Sequence, residues 1–101
     1  MADLPPGLLP QLLSLIDRLR DETVTFLDQP GDQQLWYNRG YANGMVAALG
    51  ELGQGAALGD RRPDPAAELE GHRPMAWGRA YCHGEETGYR ETYEIAGIEP
   101  S

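Results

Sequence analysis

A short pattern occurs twice in this chain and narrows what it can fold into. Trp36-Tyr37-Asn38-Arg39-Gly40-Tyr41-Ala42-Asn43-Gly44 recurs, one residue shorter, as Trp77-Gly78-Arg79-Ala80-Tyr81-Cys82-His83-Gly84, about forty residues on. Each copy reads Trp, then Arg-small-Tyr-x-(Asn or His)-Gly. Small residues fall four apart in both: Gly40, Gly44 and Ala48 in the first, Ala80, Gly84 and Gly88 in the second. On a helix that spacing lines up one stripe almost free of side chain, where another backbone can approach closely. Glycine inside a helix costs roughly 1 kcal/mol relative to alanine, so several along one stripe imply a packing reason. Gly40, Gly44, Ala80 and Gly84 are therefore the expected helix-packing residues.

The flanking sequence predicts an all-α fold in a single small domain of 101 residues. Leu9, Leu12, Ile16, Leu19, Thr23 and Phe26 follow one another at intervals of three and four, the period of a helix with one apolar face. Prolines at 5, 6 and 10 crowd the start, where a helix tolerates them. A first helix is expected over 6–28, stopping before Pro30-Gly31. Asp32 is a suitable N-cap for a second helix over 33–52, and the short Pro-Gly link makes the two an antiparallel hairpin. Residues 53–73 carry glycines, prolines and alternating charges with no apolar period, and read as a long flexible loop with at most one helical turn at Ala66–Leu69. Pro74 opens a third helix over 74–95. Tyr89 to Ile95 also alternates like a short β segment, but a single strand has no partner, so helix is the preferred reading.

Sixteen carboxylates face eight arginines and no lysine, a formal net charge of −8. Phosphate-backbone binding requires cations, so direct nucleic-acid binding is not expected, nor is an anionic membrane surface. No apolar stretch is long enough to span a bilayer, and no basic segment precedes an apolar run at the N-terminus. One cysteine, Cys82, cannot form an internal disulfide, which suits a reducing cytoplasm.

Catalytic chemistry finds little support. One cysteine and two histidines (His72, Cys82, His83) are too few for a structural zinc site, and His83 points about 100° away from its neighbour Cys82 on a helix. No phosphate-cradling glycine loop is present, so neither an enzyme nor a cofactor or metal is expected. What remains is an interaction surface. Trp77, Tyr81 and Tyr89 lie among Glu85, Glu86, Glu91 and Glu94, a mixture of polar-tipped aromatics and charge typical of protein contacts. The competing reading is that these aromatics build the core of a half that has few aliphatic residues.

Arg39-Gly40-Tyr41-x-x-Gly44 resembles the opening of the ribosome modulation factor family, small helical bacterial proteins. That family is strongly basic and this chain is acidic, so ribosome binding is not carried over. In size, acidity and lack of a catalytic motif the whole chain is similar to small acidic phage-encoded inhibitors, among them the anti-CRISPR proteins. The resemblance implies a non-enzymatic, DNA-mimicking inhibitor in the cytoplasm of a bacterial host, blocking a basic, nucleic-acid-binding surface of a larger protein or ribonucleoprotein complex. The alternative is a structural or regulatory homo-oligomer, such as a homodimer, with the glycine and alanine stripes docking with each other or across a two-fold axis.

Overall fold

A computed structural model describes residues 4–5 and 7–97. Among them five helices form and no strand: α1 (Leu8–Glu22), α2 (Gln33–Glu51), α3 (Gly55–Leu58), α4 (Ala66–Leu69) and α5 (Ala76–Ala96). The fold is all-α, as the periodicity predicts, and Tyr89 to Ile95 is helical rather than β. No helix among the described residues is long and apolar enough to cross a membrane.

The expected start of the first helix at Pro6 lies outside the described residues. Its end is corrected. The helix stops at Glu22, six residues short of 28. Three β-branched residues in a row, Thr23-Val24-Thr25, are poor helix formers, and the Thr23 hydroxyl bonds back to the Leu19 carbonyl at 2.6 Å. A 3-10 turn over Phe26–Asp28 then carries Phe26 inward against Trp36, the two rings meeting edge to face at 4.8 Å. Both Thr23 and Phe26 are buried, so the apolar stripe holds beyond the point where the helix breaks.

Asp32 caps α2 by accepting the Leu35 amide at 3.0 Å. The α1–α2 hairpin is antiparallel: Leu12 and Ile16 share one core cluster with Met45, Val46 and Leu49, while Phe26 beyond the end of α1 meets Trp36 near the start of α2. Trp36 is fully buried and donates its indole N–H to the Gln29 carbonyl at 3.0 Å.

Gly40 packs on the backbone of Tyr81 and Glu85, and Gly44 on Glu85 and Tyr89, so numbers ascend together and α2 and α5 run parallel. A parallel pair needs a crossover connection. The segment expected as a flexible loop over 53–73 is that crossover, and it is built rather than loose. It carries α3, α4 and a 3-10 turn at Glu70–His72, and it buries Leu58 and Leu69. The expected turn at Ala66–Leu69 is α4. The α5 helix begins two residues later than Pro74 and ends on Gly97, whose φ of 75° suits a glycine C-cap.

Candidate functional site

The seam between α2 and α5 brings Gly40, Gly44, Gly84 and Gly88 together. A Cβ at any of the four would fall inside the van der Waals envelope of a carbonyl oxygen: of Tyr81 and Glu85 for the α2 glycines, of Tyr37 and Tyr41 for the α5 glycines. One constant shift of 44 residues maps Gly40 to Gly84 and Gly44 to Gly88, and it also maps Tyr37 to Tyr81, so the seam has a local pseudo-two-fold. The sequence repeat is one helical turn out of this register, since it aligns Gly44 with Gly84. Ala80 accordingly falls beyond the seam, half-buried beside Tyr37 and His83, and Gly88 takes the place expected of it. The glycine stripes dock with each other within one chain.

Level with the glycine contacts, the crossover is fastened to both helices by a polar cluster centred on Asp64. Its side chain is only 5% exposed. Arg39 on α2 donates to it from Nη2 at 2.8 Å and from Nε at 3.1–3.2 Å, and the guanidinium also lies 4.9 Å over the Phe26 ring. Tyr81 on α5 donates its hydroxyl to Oδ2 at 2.7 Å. Asn43 accepts the Asp64 amide at 2.7 Å and donates to Glu85 Oε2 at 2.5 Å. Burial, then the adjacent Asp64 carboxylate, holds the Tyr81 hydroxyl well above the ordinary tyrosine range. Prolines at 63 and 65 fix the backbone on both sides of Asp64.

Behind this cluster lies a partly enclosed cavity of about 70 Å³, walled by Trp36, Asp64, His72, Tyr81, Cys82 and Glu85 among others. The Trp77 indole N–H donates to His72 Nδ1 at 3.0 Å, and the His72 ring rests 4.9 Å from that of Trp36. Gly78 lets α5 start directly against the backbone of His72. The third member of the metal reading, His83, lies on the exposed side of α5 against Tyr37. No three His, Cys, Asp or Glu side chains gather as a metal-binding group among the described residues.

The seven residues read from sequence as a partner surface do not form one face. Tyr81 is a core residue, 4% exposed. Glu85 lines the cavity. Tyr89 is half-buried and donates to Glu51, together with Tyr93. Glu91 accepts the Tyr41 hydroxyl, and Trp77 is half-buried over His72. Only Glu86 and Glu94 are fully outward, on an exposed stripe of Arg79, His83, Glu86, Arg90 and Glu94 that mixes both signs of charge. The physical reason is the scarcity of aliphatics in this half: its aromatics are needed as core, and their hydroxyls draw in the carboxylates.

No sequence pattern joins Arg39, Asn43 and Asp64 into one group. Two of them stand inside the repeated pattern, and a carboxylate held between two prolines was the available signal for the third. Compared with family models, curated protein sequences and solved structures, the chain matches none of them.

Proposed function

We propose that this is a non-enzymatic binding protein that works in the cytoplasm of a bacterial host and covers a basic, nucleic-acid-binding surface of a larger complex, in the manner of the phage-encoded anti-CRISPR inhibitors. One observation carries the reading: Arg20, Arg39 and Arg61 are drawn into contacts within the fold, and of the five exposed arginines two pair with carboxylates, while a run of carboxylates at the α1–α2 corner stands exposed with no ion-pair partner among the described residues. Arg39 is committed to Asp64, Arg61 to Asp17 at 2.8 Å, and Arg20, half-buried, to the Arg62 carbonyl. Arg73 and Arg90 pair with Glu70 and Glu94. Asp21, Glu22, Asp28 and Asp32 are exposed at the α1–α2 corner, and none of them makes an ion pair among the described residues. An acidic corner of that kind is attracted to surfaces that bind phosphate backbones.

The contact therefore belongs at this corner rather than along α5. Glu85 and Glu91 are tied to Asn43 and Tyr41, so reversing them would disturb the fold as well as the surface. The test is capture of the complex from the bacterial host, followed by direct binding across a salt series from about 0.05 to 0.5 M. Binding should weaken by more than about a hundredfold over that range and be lost on reversing Asp21, Glu22 and Asp28 together to arginine, Asp32 being left in place as the α2 cap. Salt-insensitive binding that survives the reversal would overturn the reading.

A further inference from the structure

We infer that the cavity behind Asp64 is a socket for one arginine side chain of the basic partner, an inference that rests on the reading above. Size sets the class of occupant. About 70 Å³ is roughly half of a cavity that admits benzene, which suits a guanidinium of four heavy atoms rather than a whole metabolite.

Charge sets the sign. Two carboxylates, Asp64 and Glu85, line the space, and they differ in one respect that matters. Asp64 is satisfied by Arg39 and Tyr81. Glu85 takes only the Asn43 amide on Oε2, no arginine lies within ion-pair distance, and Oε1 has no protein partner among the described residues. Arg73 also borders the cavity, but its guanidinium reaches out to Glu70 at 3.4 Å and its side chain is half exposed. A half-buried carboxylate with an open oxygen is an acceptor for a cation, and a charge-assisted bond there is stronger than one at the surface.

The walls set the shape. Trp36, His72 and Tyr81 supply aromatic surface, which favours a planar, weakly hydrated guanidinium over a compact ammonium. The His72 Nδ1 accepts from the Trp77 indole, which holds the imidazole ring in place beside Trp36.

The probe is N-acetylarginine N-methylamide, titrated into the full chain and followed by the Trp36 indole resonance and tryptophan fluorescence. A saturable response is expected, at least about tenfold weaker for the neutral citrulline analogue, which has nearly the same shape without the charge. Glu85→Gln keeps the bond to Asn43 and removes the charge, and should weaken binding at least about tenfold. Glu86→Gln changes the net charge equally on an exposed neighbour and should leave binding unchanged. Equal effects of the two variants, equal binding of citrulline, or no saturable response would each overturn the inference. If Glu85→Gln does not fold, Cys82→Leu narrows the same cavity without touching charge, and undiminished arginine binding by that variant would overturn it as well. The two readings also separate. Partner binding by Glu85→Gln at wild-type strength sinks the socket and leaves the acidic corner standing, whereas saturable arginine binding in a protein with no salt-sensitive partner supports the socket and sinks the corner.

Discussion

Toward α1, helix α2 presents Met45, Val46 and Leu49, which share a cluster with Leu12 and Ile16. Toward α5 it presents Gly40 and Gly44, which lie against bare backbone. The two contacts fail in different ways when volume is added. Side chains of an aliphatic contact can change rotamer and share the strain, so modest changes cost little. A backbone-on-backbone contact has nothing to rearrange except the distance between helices. Moving α5 outward would also loosen everything fastened to it, including Tyr81 on Asp64.

The sharpest way to break that comparison is a methyl group on each side. Gly44→Ala and Gly84→Ala should each cost roughly 3–5 kcal/mol, at the upper end for single substitutions and a large part of the total stability of a domain this size. Ile16→Val, which removes one methylene from a fully buried site, should cost only about 1 kcal/mol. Gly50→Ala is the control for helix propensity: Gly50 lies inside α2 with open space around it, so alanine should stabilise by about 0.5–1 kcal/mol. Urea unfolding of the four variants decides the matter. If Gly44→Ala costs no more than Ile16→Val, the seam has room and the contrast between the two faces of α2 is wrong.

Much of this architecture can be read from the residues. Leucine spacing over 9–26 marks the buried face of α1, and the four-residue spacing of glycines marks the stripes that form the seam. The parallel sense of α2 and α5 is not legible, because nothing local distinguishes a 24-residue return path that lies loose from one that is anchored. Leu58, Leu69 and Asp64 do the anchoring, each as a single residue with no periodic signal. Trp36 and Trp77 look equivalent in the repeat, yet one is fully buried and the other half-buried over His72, since the pseudo-symmetry runs one turn out of register with the repeat. For the same reason the aromatic and acidic residues of α5 read as a surface while most of them serve the core.

A smaller effect separates the buried fastening of the crossover from its exposed one. Arg39–Asp64 is largely buried, with side chains 17% and 5% exposed, whereas Arg61–Asp17 stands at 29% and 55%. Asp64→Asn leaves Arg39 without its counter-charge and should cost roughly 3 kcal/mol. Arg61→Ala should cost less than about 1 kcal/mol, because solvent screens that pair. Guanidinium unfolding would mask both through its ionic strength, so the comparison belongs in urea at low salt. Equal costs for the two would mean that the crossover is held by its apolar anchors, Leu58 and Leu69, and that the charge cluster contributes only direction.

The least effect at neutral pH, and a growing one above it, comes from the tyrosines that the seam holds beside carboxylates. Burial first, then the neighbouring carboxylate, raises Tyr81 and Tyr41, and the hydrogen bond to Glu51 raises Tyr89. A raised folded-state pKa means the folded protein keeps a proton that the unfolded chain releases. The stability tied to these groups is therefore complete below the ordinary tyrosine value of 10 and is lost progressively as pH rises above it. Thermal unfolding should be flat in this respect from pH 7 to about 10, then fall, by up to about 1.4 kcal/mol per pH unit for the buried Tyr81 and by less for the more exposed tyrosines. Tyr81→Phe should cost about 1 kcal/mol at pH 7 through its lost bond to Asp64, and should make the alkaline fall shallower by about one proton's worth. The exposed Arg61–Asp17 fastening behaves in the opposite sense. The Arg61 hydrogen bond holds the Asp17 carboxyl below its usual value, so its small contribution is present at neutral pH and fades in acid, as pH falls below the ordinary aspartate value of 3.8 and through the lowered one. Stability that declines at alkaline pH equally in Tyr81→Phe and the parent chain would place the sensitive protons outside the seam and remove Tyr81 from the account of how α5 is held.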